Sequence, residues 1–241
     1  MDIGIIIPIY NLCEYRQRSL AFNLHHLSNS KLYRNVVIVE QHSPSTNSYD
    51  IIQRFPGIEH KIFHIESDVF NKSVLLNRYI NDCTFSYIWM LDVDVYLDVD
   101  YVTSQVPSNS HLIRPYEFIQ NLNEKESDHL LKTTYIKFDE VRREVNNAFG
   151  KYSFIINTDL IKSIGGYDEA YEGWGFQDLD LMSRLPKDIV HGYTKNIAFH
   201  LYHPTASRKK YNKNKELFNK KGNFKKLVPR KKKILDKNKN I

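Results

Sequence analysis

Apolar residues fall along this chain in two alternating patterns. Residues 3–9 form a short, Ile-rich apolar run closed by Pro8 and the turn-prone Asn11, the pattern of a strand buried on both faces. Residues 14–28 place Leu20, Leu24 and Leu27 at helical spacing. A second buried strand is predicted over 35–40, followed by a Ser/Pro/Asn-rich loop through Ser48. A short helix over 51–55, a third strand over 61–65 and a helix over 71–80 come next. Residues 85–91 then read as a fourth buried strand that delivers Asp92 and Asp94 at its carboxyl end. Strands alternating with helices predict an α/β fold with a mostly parallel sheet, whose ligands bind beyond the carboxyl ends of the strands. Asn11, Glu40 and Asp92 each follow a strand, so they are expected to line one crevice.

The second half is less regular. Residues 107–144 are polar and show no catalytic pattern; residues 154–164 read as a strand followed by a helix leading to Gly165-Gly166, and 197–202 as a strand carrying histidines. No internal repeat is seen. At 241 residues and 41% hydrophobic content the chain suits one domain with a substantial core.

Charge changes this picture. From Arg208 onward thirteen Lys and two Arg face only Glu216 and Asp236, a formal +13, so the preceding 207 residues carry −7 of the net +6. The expected organisation is therefore a domain over 1–207 with a basic tail over 208–241. Each basic residue near an anionic leaflet contributes about 1 kcal/mol of attraction, so the tail suits a membrane surface; a merely solvated terminus is the plainer alternative. Its aromatics are sparse and no nucleic-acid motif appears, so nucleic acid is not an expected partner. Two cysteines without metal-ligand spacing give no disulfide framework. The apolar run at 3–9 is too short for a membrane span and has no basic leader. A cytoplasmic protein, with peripheral contact at the inner face of the membrane, is expected.

Three clusters carry chemistry. Residues i and i+2 of an extended segment point to one side, so Asp92 and Asp94 can face a common site, and hard carboxylate oxygens suit Mg²⁺ or Mn²⁺. Asp-x-Asp also suits an ordinary acidic loop. His200 and His203 add imidazole ligands, although one packed and one exposed histidine is the usual reading of isolated histidines. Asp178 and Asp180 follow Trp174, which glycines flank at 173 and 175. A carboxylate there can act as a general base beneath a hinged, water-excluding lid. It can equally be the acidic first turn of a helix.

Together these residues resemble the β-1,4-galactosyltransferases and their relatives among inverting glycosyltransferases of the A-type (GT-A) fold. Pro8-Ile9-Tyr10-Asn11, Val39-Glu40-Gln41, Phe70-Asn71-Lys72 with Leu75-Leu76-Asn77, Asp92-Val93-Asp94, Gly173-Trp174-Gly175-Phe176-Gln177-Asp178 and His200-Leu201-Tyr202-His203 follow that family's motifs in order, up to about residue 215. The resemblance implies a single GT-A domain using a UDP-sugar donor, with Mn²⁺ or Mg²⁺ bound by Asp94 and His203, and His200 standing where a methionine ligand is common. It implies donor contacts from Pro8, Tyr10, Asn11, Glu40, Phe70, Lys72, Asp92, Val93 and Trp174. It makes Asp178 the base and gives Gly175, Gln177 and Asp178 to the acceptor. The implied activity is transfer of galactose or N-acetylgalactosamine to a carbohydrate or glycolipid hydroxyl; glucosyl or other hexosyl transfer in surface polysaccharide assembly, and a silent carbohydrate-binding protein, are the alternatives. The departures lie in the first loop, where Leu12 replaces one of the arginines that in the family contact the diphosphate and Arg16 or Arg18 are only loose substitutes, and in Gln177 and Leu179, which replace acidic residues.

Overall fold

The computed structural model describes residues 1–44, 48–134, 153–205 and 207–222. Its centre is a seven-stranded sheet with helices between its strands. The first half runs β1 (Ile3–Ile9), α1 (Glu14–Leu27), β2 (Val36–Gln41), α2 (Tyr49–Ile52), β3 (Glu59–Phe63), α3 (Lys72–Asp82) and β4 (Tyr87–Leu91). The second runs β5 (Val95–Tyr96), α4 (Val99–Gln105), β6 (Leu112–Arg114), β7 (Phe118–Asn121), α5 (Glu124–Thr133), β8 (Ser153–Asn157), α6 (Thr158–Ser163), α7 (Gln177–Arg184), β9 (His191–Tyr193), β10 (Ile197–His200) and α8 (Tyr211–Lys220).

The main sheet has the order β3-β2-β1-β4-β8-β6-β9. Strands β3, β2, β1 and β4 are mutually parallel, β8 is antiparallel to both β4 and β6, and β6 pairs parallel with β9. This is the expected mostly parallel α/β sheet. All seven residues of β1 are buried, because helices cover both faces. On one face Ile3, Ile5, Ile7 and Ile9 meet Leu20, Leu24 and Leu27 of α1; on the other Ile6, Val37 and Val39 meet Leu75, Leu76 and Ile80 of α3.

Several short elements depart from the sequence reading. β3 begins at Glu59 rather than 61, since this edge strand is only half-covered and has no apolar run to mark it. Residues 95–133, read in part as patternless, hold β5, α4, β6, β7 and α5; the polar stretch continues into residues 135–144, which lie outside the described residues. A three-stranded sheet, β5-β10-β7, stands beside the main one. The segment from Arg208, read as a basic tail, carries a helix near its start: α8 buries Asn214 and Phe218. Residues 223–241, the rest of that tail, lie outside the described residues.

Candidate active site

The parallel strands β1, β2 and β4 end on one edge, and the candidate residues gather there. Asp92 and Asp94 come together by a turn, not by strand alternation. β4 stops at Leu91, and the Val95 N–H donates to the Asp92 carbonyl at 3.0 Å. The turn is pinned from beneath by α1: the buried Asn23 amide donates to the carbonyls of Val93 (2.9 Å) and Val95 (3.1 Å). Val93 itself is buried in the core, so only its backbone borders the cleft.

The histidines reach Asp94 through the small sheet. β10 pairs antiparallel with β5, setting His200 opposite Val95, and the Leu201 N–H donates to the Asp94 carbonyl at 2.8 Å. His200 Nε2 lies 3.6 Å from Asp94 Oδ1, and His203 Nε2 lies 3.2 Å from Asp94 Oδ2. One ligand atom from each of Asp94, His200 and His203 lies within 4.8 Å of the others. His203 Nδ1 sits 2.8 Å from the Pro204 carbonyl, so in the neutral ring Nδ1 is the donor and Nε2 keeps its lone pair toward Asp94. Burial would raise the Asp94 pKa, but His200, Arg16 and His203 outweigh it and hold the carboxyl below its ordinary range. Burial lowers the His200 pKa against the pull of Asp94, which favours neutral imidazole. One anionic carboxylate and two imidazole lone pairs form a donor set that fits a divalent transition metal.

Asp178 is reached from the other side. Lys72, the first residue of α3, places its ammonium 3.2 Å from Asp92 and 3.3 Å from Asp178. The α3 amino terminus is fixed by its cap residue Asn71, whose side chain accepts from Val74 N–H. Burial would lower the Lys72 pKa, yet Asp178 and Asp92 overcome it and keep the ammonium charged. Asp92 is pushed up to about 6, first by burial and then by Asp94 and Asp178, against the pull of Lys72. The second Asp178 oxygen accepts from the Tyr167 hydroxyl at 3.0 Å. Tyr167 is held in turn by Asn77, whose amide bonds both its N–H and its carbonyl at 2.8 Å. A Cβ on Gly166 would stand 2.3 Å from Asn77 Oδ1, so only glycine admits this clasp. Asp178 also occupies the first turn of α7, where the helix dipole favours a carboxylate.

The remaining candidates fall into two groups. The rings of Tyr10 and Phe70 stand parallel at 5.9 Å, while Pro8 is buried at the end of β1 and Asn11 takes a left-handed φ of 40° at the cleft edge. Gln41 accepts from Asn71 N–H (2.7 Å) and donates to the Val69 carbonyl (3.0 Å), which seats the Phe70 loop. Glu40 instead engages Ser48 and His60, each at 2.7 Å, and is almost fully buried. Gln177 is buried too, its amide turned back onto the Gly173 carbonyl.

Trp174 is 48% exposed and stacks on Tyr211 of α8 at 5.5 Å, with the Arg208 guanidinium 5.2 Å from the ring centroid. The loop around it bends through left-handed backbone at Gly173, Gly175 and Phe176, and the Gly173 N–H donates to the Phe70 carbonyl at 2.9 Å. From α8, Asn214 donates to the carbonyls of Glu172 (2.8 Å), Trp174 (3.4 Å) and Gly175 (3.1 Å). Phe176 packs between Tyr211 and Phe218.

Sequence reasoning missed Asn23, Tyr167 and the α8 clamp. Asn23 had a signal, since it lies three residues after Leu20 inside the apolar stripe of α1, where a polar side chain must find partners. Tyr167 and Asn214 had none, because Asn77 lies 90 positions from Tyr167 and the carbonyls that Asn214 holds lie 39 to 42 positions from it.

Residues 5–195 match the model described as glycosyltransferase like family 2. Glycosyltransferase GlyA of Streptococcus pneumoniae serotype 4 is 29% identical over 101 residues, which is 42% of this chain but 14% of that protein, so the chain spans only a small part of this curated relative. Among solved structures, GalNAc-T7 with UDP, GalNAc and Mn²⁺ superposes with a TM-score of 0.61 at 13% identity, covering 90% of this chain and 48% of that one. S. aureus TarS 1-349 in complex with UDP-GlcNAc gives 0.58 at 13% identity, covering 90% and 65%. The catalytic domain of Drosophila beta1,4galactosyltransferase 7 complexed with xylobiose gives 0.53 at 16% identity, covering 90% and 79%. These likenesses establish the fold as that of the A-type glycosyltransferases.

Proposed function

The chain belongs to glycosyltransferase like family 2, and from that membership we propose that it is a metal-dependent, inverting hexosyltransferase that moves galactose or N-acetylgalactosamine from a UDP-sugar to a glycan hydroxyl. The observation that carries this reading is the meeting of Asp94, His200 and His203 beside the Lys72-bridged carboxylates Asp92 and Asp178. In this reading Pro8, Tyr10 and Phe70 hold the uridine. Asn11 and the backbone at Val93 border the ribose and diphosphate, and Asp92 contacts ribose or sugar. Glu40 supports the donor cleft through its ties to Ser48 and His60 rather than by touching the donor.

Asp94, His200 and His203 hold the cation, Mn²⁺ or Mg²⁺, which when bound supplies positive charge against the departing diphosphate. Asp178 takes the proton of the acceptor hydroxyl as that oxygen attacks the anomeric carbon from the face opposite the leaving group. Lys72 and Tyr167 aim its carboxylate. Trp174 closes over the donor and excludes water, while Gly175 and the backbone at Gln177 border the acceptor. We further propose a cytoplasmic enzyme whose basic carboxyl-terminal segment meets an anionic membrane surface, where a glycolipid acceptor would be found.

The test is a thermal-shift and turnover screen with UDP-galactose, UDP-N-acetylgalactosamine and UDP-glucose, with and without Mn²⁺. A donor at a hundred times its Kd stabilises the fold by about 2.7 kcal/mol through mass action. Mn²⁺-dependent stabilisation and UDP release are expected, strongest for the first two donors. Stabilisation by no sugar nucleotide would remove the proposal; stabilisation without UDP release would leave a binding module.

A further inference from the structure

Arg16 sits where it conflicts with the proposed metal centre. It lies in the opening turns of α1, just after the loop that leaves β1, and its Nε donates to Asp94 Oδ2 at 2.8 Å. Its Nη2 stands 3.3 Å from His203 Nε2. Those two acceptor atoms are themselves 3.2 Å apart and belong to the three-residue ligand set. The other arginine of α1, Arg18, is committed elsewhere, to Asp128 at 2.6 Å. Arg16 alone on this helix is directed into the centre.

A guanidinium and a divalent cation compete for the same two groups, the Asp94 carboxylate and the His203 imidazole nitrogen. Arginine keeps its charge at every working pH, so it cannot yield by losing a proton; it can only move. Its side chain is 29% exposed against 5% for Asp94, so it has a route out of the cluster while the carboxylate does not.

We propose that Arg16 is a built-in competitor for the metal position, released from Asp94 and His203 when a divalent cation binds and then available to the donor's diphosphate. This rests on the metal-site assignment made under the proposed function. Planar, bidentate recognition of phosphate oxygens is the chemistry that suits the released guanidinium. Metal and nucleotide diphosphate therefore reinforce one another: the cation frees the arginine, and the phosphate captures it. Linkage makes the effect reciprocal, each ligand raising the other's affinity by one common factor.

The experiment is calorimetric titration of Mn²⁺ into the wild-type chain, Arg16→Gln, Arg16→Lys and His203→Ala, each with and without UDP, after circular dichroism has established that each is folded. Without UDP, Arg16→Gln is expected to bind Mn²⁺ about tenfold more tightly than wild type, within the five- to 150-fold range usual for coupled sites. UDP should then strengthen Mn²⁺ binding much less in Arg16→Gln than in wild type. Arg16→Lys, which keeps the charge but not the fork, should fall between the two. Should Arg16→Gln bind Mn²⁺ no more tightly than wild type while His203→Ala abolishes binding, the competitor role is overturned and the metal site stands. Absence of Mn²⁺ binding from both wild type and Arg16→Gln overturns the metal site, and the competitor role with it.

Discussion

Replacing Lys72 with Met removes the ammonium that joins Asp92 to Asp178, and the structure fixes both the size and the pH dependence of the damage. Two ion pairs are lost, at 3.2 and 3.3 Å, from a lysine side chain only 13% exposed. Breaking a fully buried pair by removing one partner costs ~3–5 kcal/mol, and an exposed pair is worth ~0–1 kcal/mol. The Asp92 side chain is 32% exposed and Asp178 24%, so the expected loss lies between these limits, at ~1–3 kcal/mol. The Asp92 carboxyl is already raised in the folded protein, by burial first and by its acidic neighbours, against the pull of Lys72. A carboxyl raised above its unfolded value costs no stability below that value, and the cost grows as pH rises through the folded one. Lys72 offsets that cost, so the Asp92 share of the loss should be smaller near pH 4.5 than near pH 8. Thermal melts in the presence of a chelator read this directly. A loss of ~2 kcal/mol lowers Tm by about 4–8 °C in a protein of this size. Equal melting temperatures at pH 8, or an equal drop at both pH values, would refute the bridge.

Asp178→Asn is expected to retain UDP binding within about twofold and to lose about a hundredfold in kcat, the scale of a general base; unchanged turnover in a donor–acceptor assay would remove it from that role. Asn23→Leu strands two buried carbonyls and should cost ~1–3 kcal/mol in urea unfolding. The same variant should weaken Mn²⁺ binding about tenfold or more, as loss of an outer-shell support does; unaltered affinity would show that the Asp92–Asp94 turn holds itself. Phe218→Ala removes an almost fully buried ring packed on Phe176, and a core Phe→Ala change costs ~3–5 kcal/mol. Amide exchange should quicken over both residues 211–220 and 173–176; acceleration confined to α8 would contradict the clamp on the Trp174 loop.

Much of the fold could be read from the chain because β1, β2 and β4 are covered on both faces and must be nearly continuous apolar runs, with only Glu40 and Gln41 polar at the end of β2. β3, at the sheet edge with no residue fully buried, carries no such run, and the apolar pattern places it two residues late. β5 has two residues and β6 three, too few for any period to register. α8 escaped because its packing depends on Asn214 and Phe218 set among lysines and asparagines, so charge density concealed the apolar side.

The site divides along the same line. Asp92, Asp94, Asp178, His200 and His203 could be singled out because their types carry chemistry and their order matches a family. How they meet could not. The Asp pair converges through a turn tied by Asn23, and the histidines arrive on a strand of the second sheet. Arg16, legible in the chain only as a loose substitute for a first-loop arginine, proves to touch Asp94 and His203. Such contacts between residues up to 187 positions apart leave no local trace.

The most direct test is anomalous diffraction at the manganese edge from crystals grown with Mn²⁺ and UDP. The account predicts one strong peak within coordination distance of an Asp94 carboxylate oxygen and His203 Nε2, with Asp178 unligated in the same cleft. A peak elsewhere, or a cation bound by Asp178, would contradict it.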